Sequence, residues 1–517
     1  MKKILICFFS LLLINTSCNQ DDLVKLNINP QALNEIDMNF LFTASQLGTA
    51  SGGDRGDNRY IDWRTNMGVF AHAIQQIANV GGGIATGDKY TENAEASAAP
   101  WDFLYNGPLQ TLEEILLQTG PGGFQDGQRA NLRQASRILK AYNFMRLTDY
   151  YGNIPYSEAL RGKADGLFFP KFDTQQSIYA DLLKEVSEAT AALSASAPDA
   201  GFANADLFYG GDIAKWKKFG NSLLLRMAMR VSNVDAAATT KYATQAIAGG
   251  VMTANSDRAR IQTDLGPSEW TNQNGISRAF ADGDGGQPSP LSATLINWLK
   301  AKNDPRLMIL SGGVGKNGAR NMEAAAQKGL PNGLDTGTLQ DFLGKIGTNP
   351  MEEFSVINPK MLDDNEDYVF MNFSEVEFLL AEAAERKIAG ASDAAGHYNK
   401  GVKAAIQQYD HYDASLAVTD AVANAYVAAN PYNGLASIGE QMWVSKFFNW
   451  WEAWADWKRT GFPKLTPVNY LGNITGGTIP RKLRIPNGEI STNAENFQAG
   501  ASLPNEYTTR VWWDGGK

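Results

Sequence analysis

Between its Gly-rich loops this chain repeats one pattern, apolar side chains spaced three or four residues apart, and that spacing commits it to helices. Over 128–151 the stripe reads Leu132, Ala135, Ile138, Leu139, Tyr142, Met145, and Gly152 stops it. Over 174–194 it reads Ile178, Leu182, Val186, Leu193, with Asp173 and Gln176 at capping-box spacing. Asp212 precedes a third run, 212–232, carrying Trp216, Phe219, Leu223, Met227 and Val231. Ser374 and Glu377 give a capping box to 374–388, ahead of Leu379, Leu380, Ala383 and Ala384. The stretch 393–412 follows with Tyr398, Val402, Ala405, Ile406 and Tyr409. The stretch 437–460 is aromatic and is closed by Gly461 and Pro463. Alternation with period two is almost absent, so only 480–486 and 507–513 are expected as short strands. The fold class is mostly α, with few short strands and long irregular loops.

The helices come in pairs. The Ala-rich run 374–388 and its successor 393–412 read as one degenerate tetratricopeptide unit, and 128–151 with 174–194 reads as a second unit with an inserted connection. Small residues let two helices approach; Tyr and Leu fill the space between them.

The first residues are a separate story. Met1-Lys2-Lys3 precede an apolar run from Ile4 to Ile14, then small polar residues, then Cys18. This is the layout of a secretory signal, and the apolar run is too short to stay in a bilayer as a spanning helix. The segment 15–18 resembles a bacterial lipobox with Asn15 where Leu is usual, which implies that Cys18 becomes a lipidated N-terminus. Asp21-Asp22 resembles the surface-export signal of Bacteroidetes lipoproteins. The expected organisation is a signal peptide over 1–17, a lipid-anchored tether over 18–34 and a single body over 35–517. Cys7 lies in the signal and Cys18 at its end, so the chain from Asn19 onward forms no disulfide and no Cys-ligated metal site. The formal charge of −9 argues against nucleic acid, whose phosphates require a cationic surface. With only His72, His397 and His411, histidine catalysis and multi-His metal sites have few candidates.

Several segments resemble one family, in order along nearly the whole mature chain. Asp149-Tyr150-Tyr151-Gly152-Asn153-Ile154-Pro155-Tyr156-Ser157-Glu158-Ala159 is similar to a stretch of SusD/RagB-type outer-membrane lipoproteins. So are Trp216–Leu223 with Arg226 and Arg230, Asn303–Leu307, Glu375–Ala383, Trp454–Pro463 and Ile479–Leu483. The resemblance implies a scaffold of four tetratricopeptide-like helix pairs with a loop-built ligand side. It also implies attachment through the lipid to the outer membrane, facing outward, and partnership with a SusC-like TonB-dependent transporter. The family is non-catalytic: it captures oligosaccharides, or peptides in some branches, and takes no cofactor. The contrasting expectation is a surface glycoside hydrolase, which needs two carboxylates flanking the scissile bond; no local catalytic signature supports it.

Sugars are held by aromatic faces framed by amides, carboxylates and Arg, presented on loops over a rigid frame. The aromatics outside the helical stripes are therefore the ligand candidates: Tyr60 and Trp63 after the first Gly-rich loop, Tyr90 and Trp101 after the second, and Trp270 in a polar loop with Asn272 and Gln273. The cluster at Trp443, Phe447, Trp450, Trp454 and Trp457 lies on a helical stripe and is read as core, with Trp451 pointing off that face. Asp282 and Asp284 begin like a calcium loop, but Gln287-Pro288-Ser289 breaks the pattern.

Overall fold

The computed structural model describes residues 36–50, 59–81, 86–197, 199–266, 272–281, 289–344 and 350–516. The chain divides into a short leading unit, Met1–Met38, and one large body, Asn39–Lys517. Nine helices carry the argument: α1 (Ala94–Leu104), α2 (Ala130–Tyr151), α3 (Gln175–Ala192), α4 (Ile213–Arg230), α5 (Ala236–Gly249), α6 (Phe373–Glu385), α7 (Ala394–Gln407), α8 (Gly434–Ser445) and α9 (Trp450–Thr460). The pairs α2/α3 and α6/α7 form as the periodicity predicts, and α4/α5 and α8/α9 add two more. Helix α4 joins the pairs, lying against α2, α3 and α6. Close approach depends on glycine at the α6/α7 crossing: a Cβ on Gly401 would sit 2.8 Å from the Phe378 ring.

The expected caps hold at Asp212, which accepts from the N–H groups of Ala214 and Lys215. They fail twice. Thr174, not Asp173, caps α3 by accepting from Ser177 N–H. Asp173 instead accepts from Ser157 N–H at 2.7 Å and fixes the turn after Pro155. Asn372 precedes α6 without a side-chain cap; Ser374 Oγ donates to Gln408 at 2.9 Å, and Glu377 meets His397 Nδ1 at 2.6 Å. In both places a long-range partner outcompeted the local one.

The long aromatic helix expected over 437–460 is two helices. The chain turns between α8 and α9, with Phe448 in the left-handed region at φ 75°. The turn brings buried Lys446 to Glu375 at 3.1 Å. Trp451 is not the odd residue out: Tyr142 and Tyr150 of α2 meet it edge-on, and it is as buried as the stripe itself. The strands also moved. Residues 480–486 form no strand, Pro480 and Pro486 having no N–H to give, and 507–513 runs irregularly into a 3-10 turn at Trp512–Asp514. Arg481 and Lys482 both donate to the single carbonyl of Tyr507. Among the described residues three two-stranded antiparallel ribbons form elsewhere: β1 (Ile154–Pro155) with β2 (Phe172–Asp173), β3 (Ala259–Gln262) with β6 (Asp367–Met371), and β4 (Ser311–Val314) with β5 (Ser355–Ile357).

A buried ion network ties the helices together. Arg226 of α4 holds Glu375 of α6 through two bonds, at 2.6 and 2.7 Å. Arg230, one turn on, meets Asp149 of α2 at 3.4 Å and Asp456 at 3.5 Å, and pairs with Glu452. Glu382 does not reach Arg230; it takes Arg459 of α9 at 2.7 Å and Arg386 at 2.9 Å. Lys446 completes a set of five cations facing five carboxylates. Removing one member of such a network leaves its buried partner charge unmatched, which costs about 3–5 kcal/mol.

Candidate functional site

Helix α1 builds the wall of the largest described cleft, a volume of ≈ 1100 Å³. Asn93 caps it by accepting from Ala96 N–H at 2.9 Å. Ala98, Trp101, Asp102, Tyr105 and Asn106 follow at spacings of three and four, so one helical face looks into the cleft. The turn after β1, from Pro155 to Pro170, forms a second wall, and the C-terminal segment around Arg484–Glu489 and Asn505–Glu506 forms a third. Trp101 is held in place by other rings: edge-on to Tyr151 at 5.1 Å and stacked near Phe172 at 6.2 Å. It is 7 % exposed, so little of the ring reaches the cleft. The hydroxyl of Tyr105 donates to Pro155 O at 2.6 Å and bridges two walls. On the opposite lip, Phe168 is 72 % exposed.

The cleft is rich in carboxylates: Glu92, Glu95, Asp102, Glu489 and Glu506 line it, against one lining cation, Arg484. Arg484 is shared between Glu92, at 2.5 Å, and Glu506. Glu95 pairs with Arg64. The Glu489 carboxylate accepts an amide N–H from Asn493 at 2.8 Å. Burial raises the carboxyl pKa of both Asp102 and Glu489, with the Asn493 amide opposing it at Glu489.

On the flank of α1 lies an aromatic ledge. Residues Asp62–Ala71 wind as a π-helix packed on α1, and Tyr60 and Trp63 stand at its start, both half-buried. Tyr60 lies 4.6 Å from Phe103 of α1. The Arg64 guanidinium sits 4.5 Å over Tyr60 and 5.1 Å from the centre of Trp63, whose ring also faces Arg59 at 4.7 Å. Through Glu95, Arg64 connects ledge to cleft. The guanidinium and carboxylate groups gathered around these rings suit a polyhydroxylated ligand, because they exchange hydrogen bonds with hydroxyls.

The sequence candidates divide accordingly. Tyr60, Trp63 and Trp101 converge on α1. Tyr90, expected on an exposed loop, is buried instead; its hydroxyl accepts from Val468 N–H at 3.1 Å, its carbonyl accepts from Ile474 N–H at 3.0 Å, and the ring anchors the 468–474 loop. Asn272 spends its amide inside its own loop, donating to Gly266 O at 3.1 Å. Gln273 is half-buried and engaged. Trp270, Asp282, Asp284 and Cys18 lie outside the described residues. Among the described residues no group of His, Cys, Asp and Glu is arranged to hold a metal ion. Phe103, Asp102, Tyr105, Phe168 and Arg484 escaped the sequence reading. The i, i+4 pair Trp101 and Tyr105 was the available signal for α1; nothing local marks Arg484.

Comparison with known proteins gives the class. Residues 30–486 match the SusD-like family described as starch-binding and associating with the outer membrane. The chain belongs to this SusD/RagB-like family. Among solved structures it is similar to a chitin-binding protein, at 31% identity and a TM-score of 0.78, over 93% of this chain and 100% of that one. It shares its fold with a chitin-binding SusD homologue from Flavobacterium johnsoniae, at 23% identity and a TM-score of 0.75, over 93% and 99% of the two chains. A SusD homologue from Bacteroides thetaiotaomicron gives 22% and 0.73, over 93% and 100%. No curated protein matches the chain.

Proposed function

We propose that this protein is a lipid-anchored capture protein of the outer cell surface, which binds oligosaccharides and hands them to a SusC-like TonB-dependent transporter. The single observation that carries the reading is the aromatic ledge of Tyr60 and Trp63 beside a cleft large enough for a small oligosaccharide. Family membership and the likeness to a chitin-binding protein support a glycan as cargo, with β-linked N-acetylglucosamine oligomers as the first class to test. The leader ending at Cys18 supports the anchor. No described helix is long and apolar enough to cross a membrane, consistent with attachment by a lipid. The protein binds its cargo without cleaving it.

Calorimetric titration with N-acetylglucosamine hexamer tests this. Trp63→Ala is expected to weaken binding at least about tenfold, the equivalent of about 1.4 kcal/mol, with an unchanged circular dichroism spectrum. Binding by Trp63→Ala equal to the parent's removes the ledge from the site. New reducing ends accumulating in the mixture overturn the capture reading in favour of a hydrolase.

A further inference from the structure

We infer that Phe168 is the ring on which a sugar stacks in the cleft along α1, and that its chain neighbour Phe169 takes no part. The inference rests on the capture reading above and names a binding residue within that site.

Exposure carries the argument. The other rings around the cleft and the ledge are largely covered. Tyr60 lies under the Arg64 guanidinium, and Trp63 faces both Arg59 and Arg64. Trp101 is enclosed by Tyr105, Tyr151 and Phe172. Phe168 is 72 % exposed and lines the cleft; Phe169 is 62 % exposed and does not. The surroundings of Phe168 also place it. A Cβ on Gly162 would sit 3.2 Å from the ring atoms Cδ1 and Cε1, so the ring rests where the chain has no side chain. The carbonyls of Phe169 and Pro170 accept from the amides of Asn496 at 3.0 Å and Asn493 at 2.8 Å. The Lys171 N–H donates to Glu158 at 3.0 Å. A segment pinned in this way presents its ring with little further ordering to be done on binding.

The occupant follows from what shares the cleft with this ring. Asp102, Asn106 and Asn487 line it too, and all three are exposed. A pyranose matches both kinds of surface at once. Its weakly positive C–H bonds meet the electron-rich face of Phe168, and its hydroxyls exchange hydrogen bonds with the amides and the carboxylate. An acyl chain or an apolar peptide side chain covers the ring equally well, but it takes those polar groups out of water without giving them partners.

The test is calorimetric titration of the full-length protein with hexamers of N-acetylglucosamine, β-1,4-linked glucose and α-1,4-linked glucose. For each hexamer that binds the parent, Phe168→Ala and Phe168→Leu are both expected to weaken binding at least about tenfold. Phe168→Trp, which restores an aromatic face, is expected to stay within about threefold of the parent, and Phe169→Ala within about twofold. Parent-like binding by Phe168→Ala removes the ring from the site. Parent-like binding by Phe168→Leu shows that apolar bulk suffices and overturns stacking, as does a loss in Phe168→Trp equal to that in Phe168→Ala. An equal loss in Phe169→Ala assigns the effect to the segment and not to the ring, and overturns the inference. All four results leave glycan capture standing. Failure of the parent to bind any of the hexamers overturns the capture reading and this inference with it.

Discussion

At the scale of single residues, two buried charges make opposite demands. Arg226 is fully enclosed and held by Glu375 and by the carbonyl of Phe370 at 3.0 Å. Truncating it strands Glu375 next to Lys446 alone, and a broken buried pair costs about 3–5 kcal/mol. Arg226→Ala is therefore expected to lower the urea midpoint by that equivalent, whereas Arg226→Met with Glu375→Leu, removing both charges, is expected to recover much of the loss. Lys482 is the reverse case. Its Nζ is buried against Ser502 O at 3.3 Å and Asn505 Oδ1 at 3.0 Å, and burial lowers its pKa to about 7, with Glu506 opposing the shift. The unfolded chain therefore binds more protons than the folded one between pH 7 and the ordinary lysine range, about 10.4. This group's contribution to stability rises with pH across that window and is smallest below pH 7. Lys482→Met is expected to flatten the pH dependence of urea unfolding between about pH 7 and 10; an unchanged slope means that Lys482 stays charged in the fold.

At the scale of elements, the helix pairs were legible because their signal is local: a stripe, a cap and a stop all lie within some twenty residues. What holds a pair at its crossing was not. Gly401 of α7 permits contact with the Phe378 ring of α6, and a side chain there has nowhere to go. Gly401→Val is expected to cost about 1–3 kcal/mol by urea unfolding, with far-UV circular dichroism retained, because both helices survive while their crossing opens. The broken aromatic helix teaches the same lesson from the other side. Its spacing continues through 446–449, yet the backbone turns there, and Lys446 reaches Glu375 and Asp456. Periodicity reports which faces are apolar and is blind to a bend required by a distant charge.

At the scale of the whole molecule, the body, Asn39–Lys517, joins four helix pairs to a loop-built side, and α1 with the π-helix before it carries the candidate site between them and the C-terminal segment. The proposed lipid anchor is tested at this scale too. Cys18→Ser is expected to shift the protein from the membrane fraction to the soluble fraction on cell fractionation, and retention in the membrane fraction argues against lipid attachment at that residue.

The sequence alone determined the helical class, the positions of most helices and the thiol-free body, because each depends on residues close together in the chain. Tertiary structure decided the rest: Tyr90 went inside, Trp451 joined the core, the ribbons replaced the expected strands, and Arg484 met Glu92 across the cleft. The physical reason is that exposure and charge pairing are properties of surfaces brought together. The walls of this cleft come from residues 92–106, 155–170 and 484–506, segments that no local pattern connects.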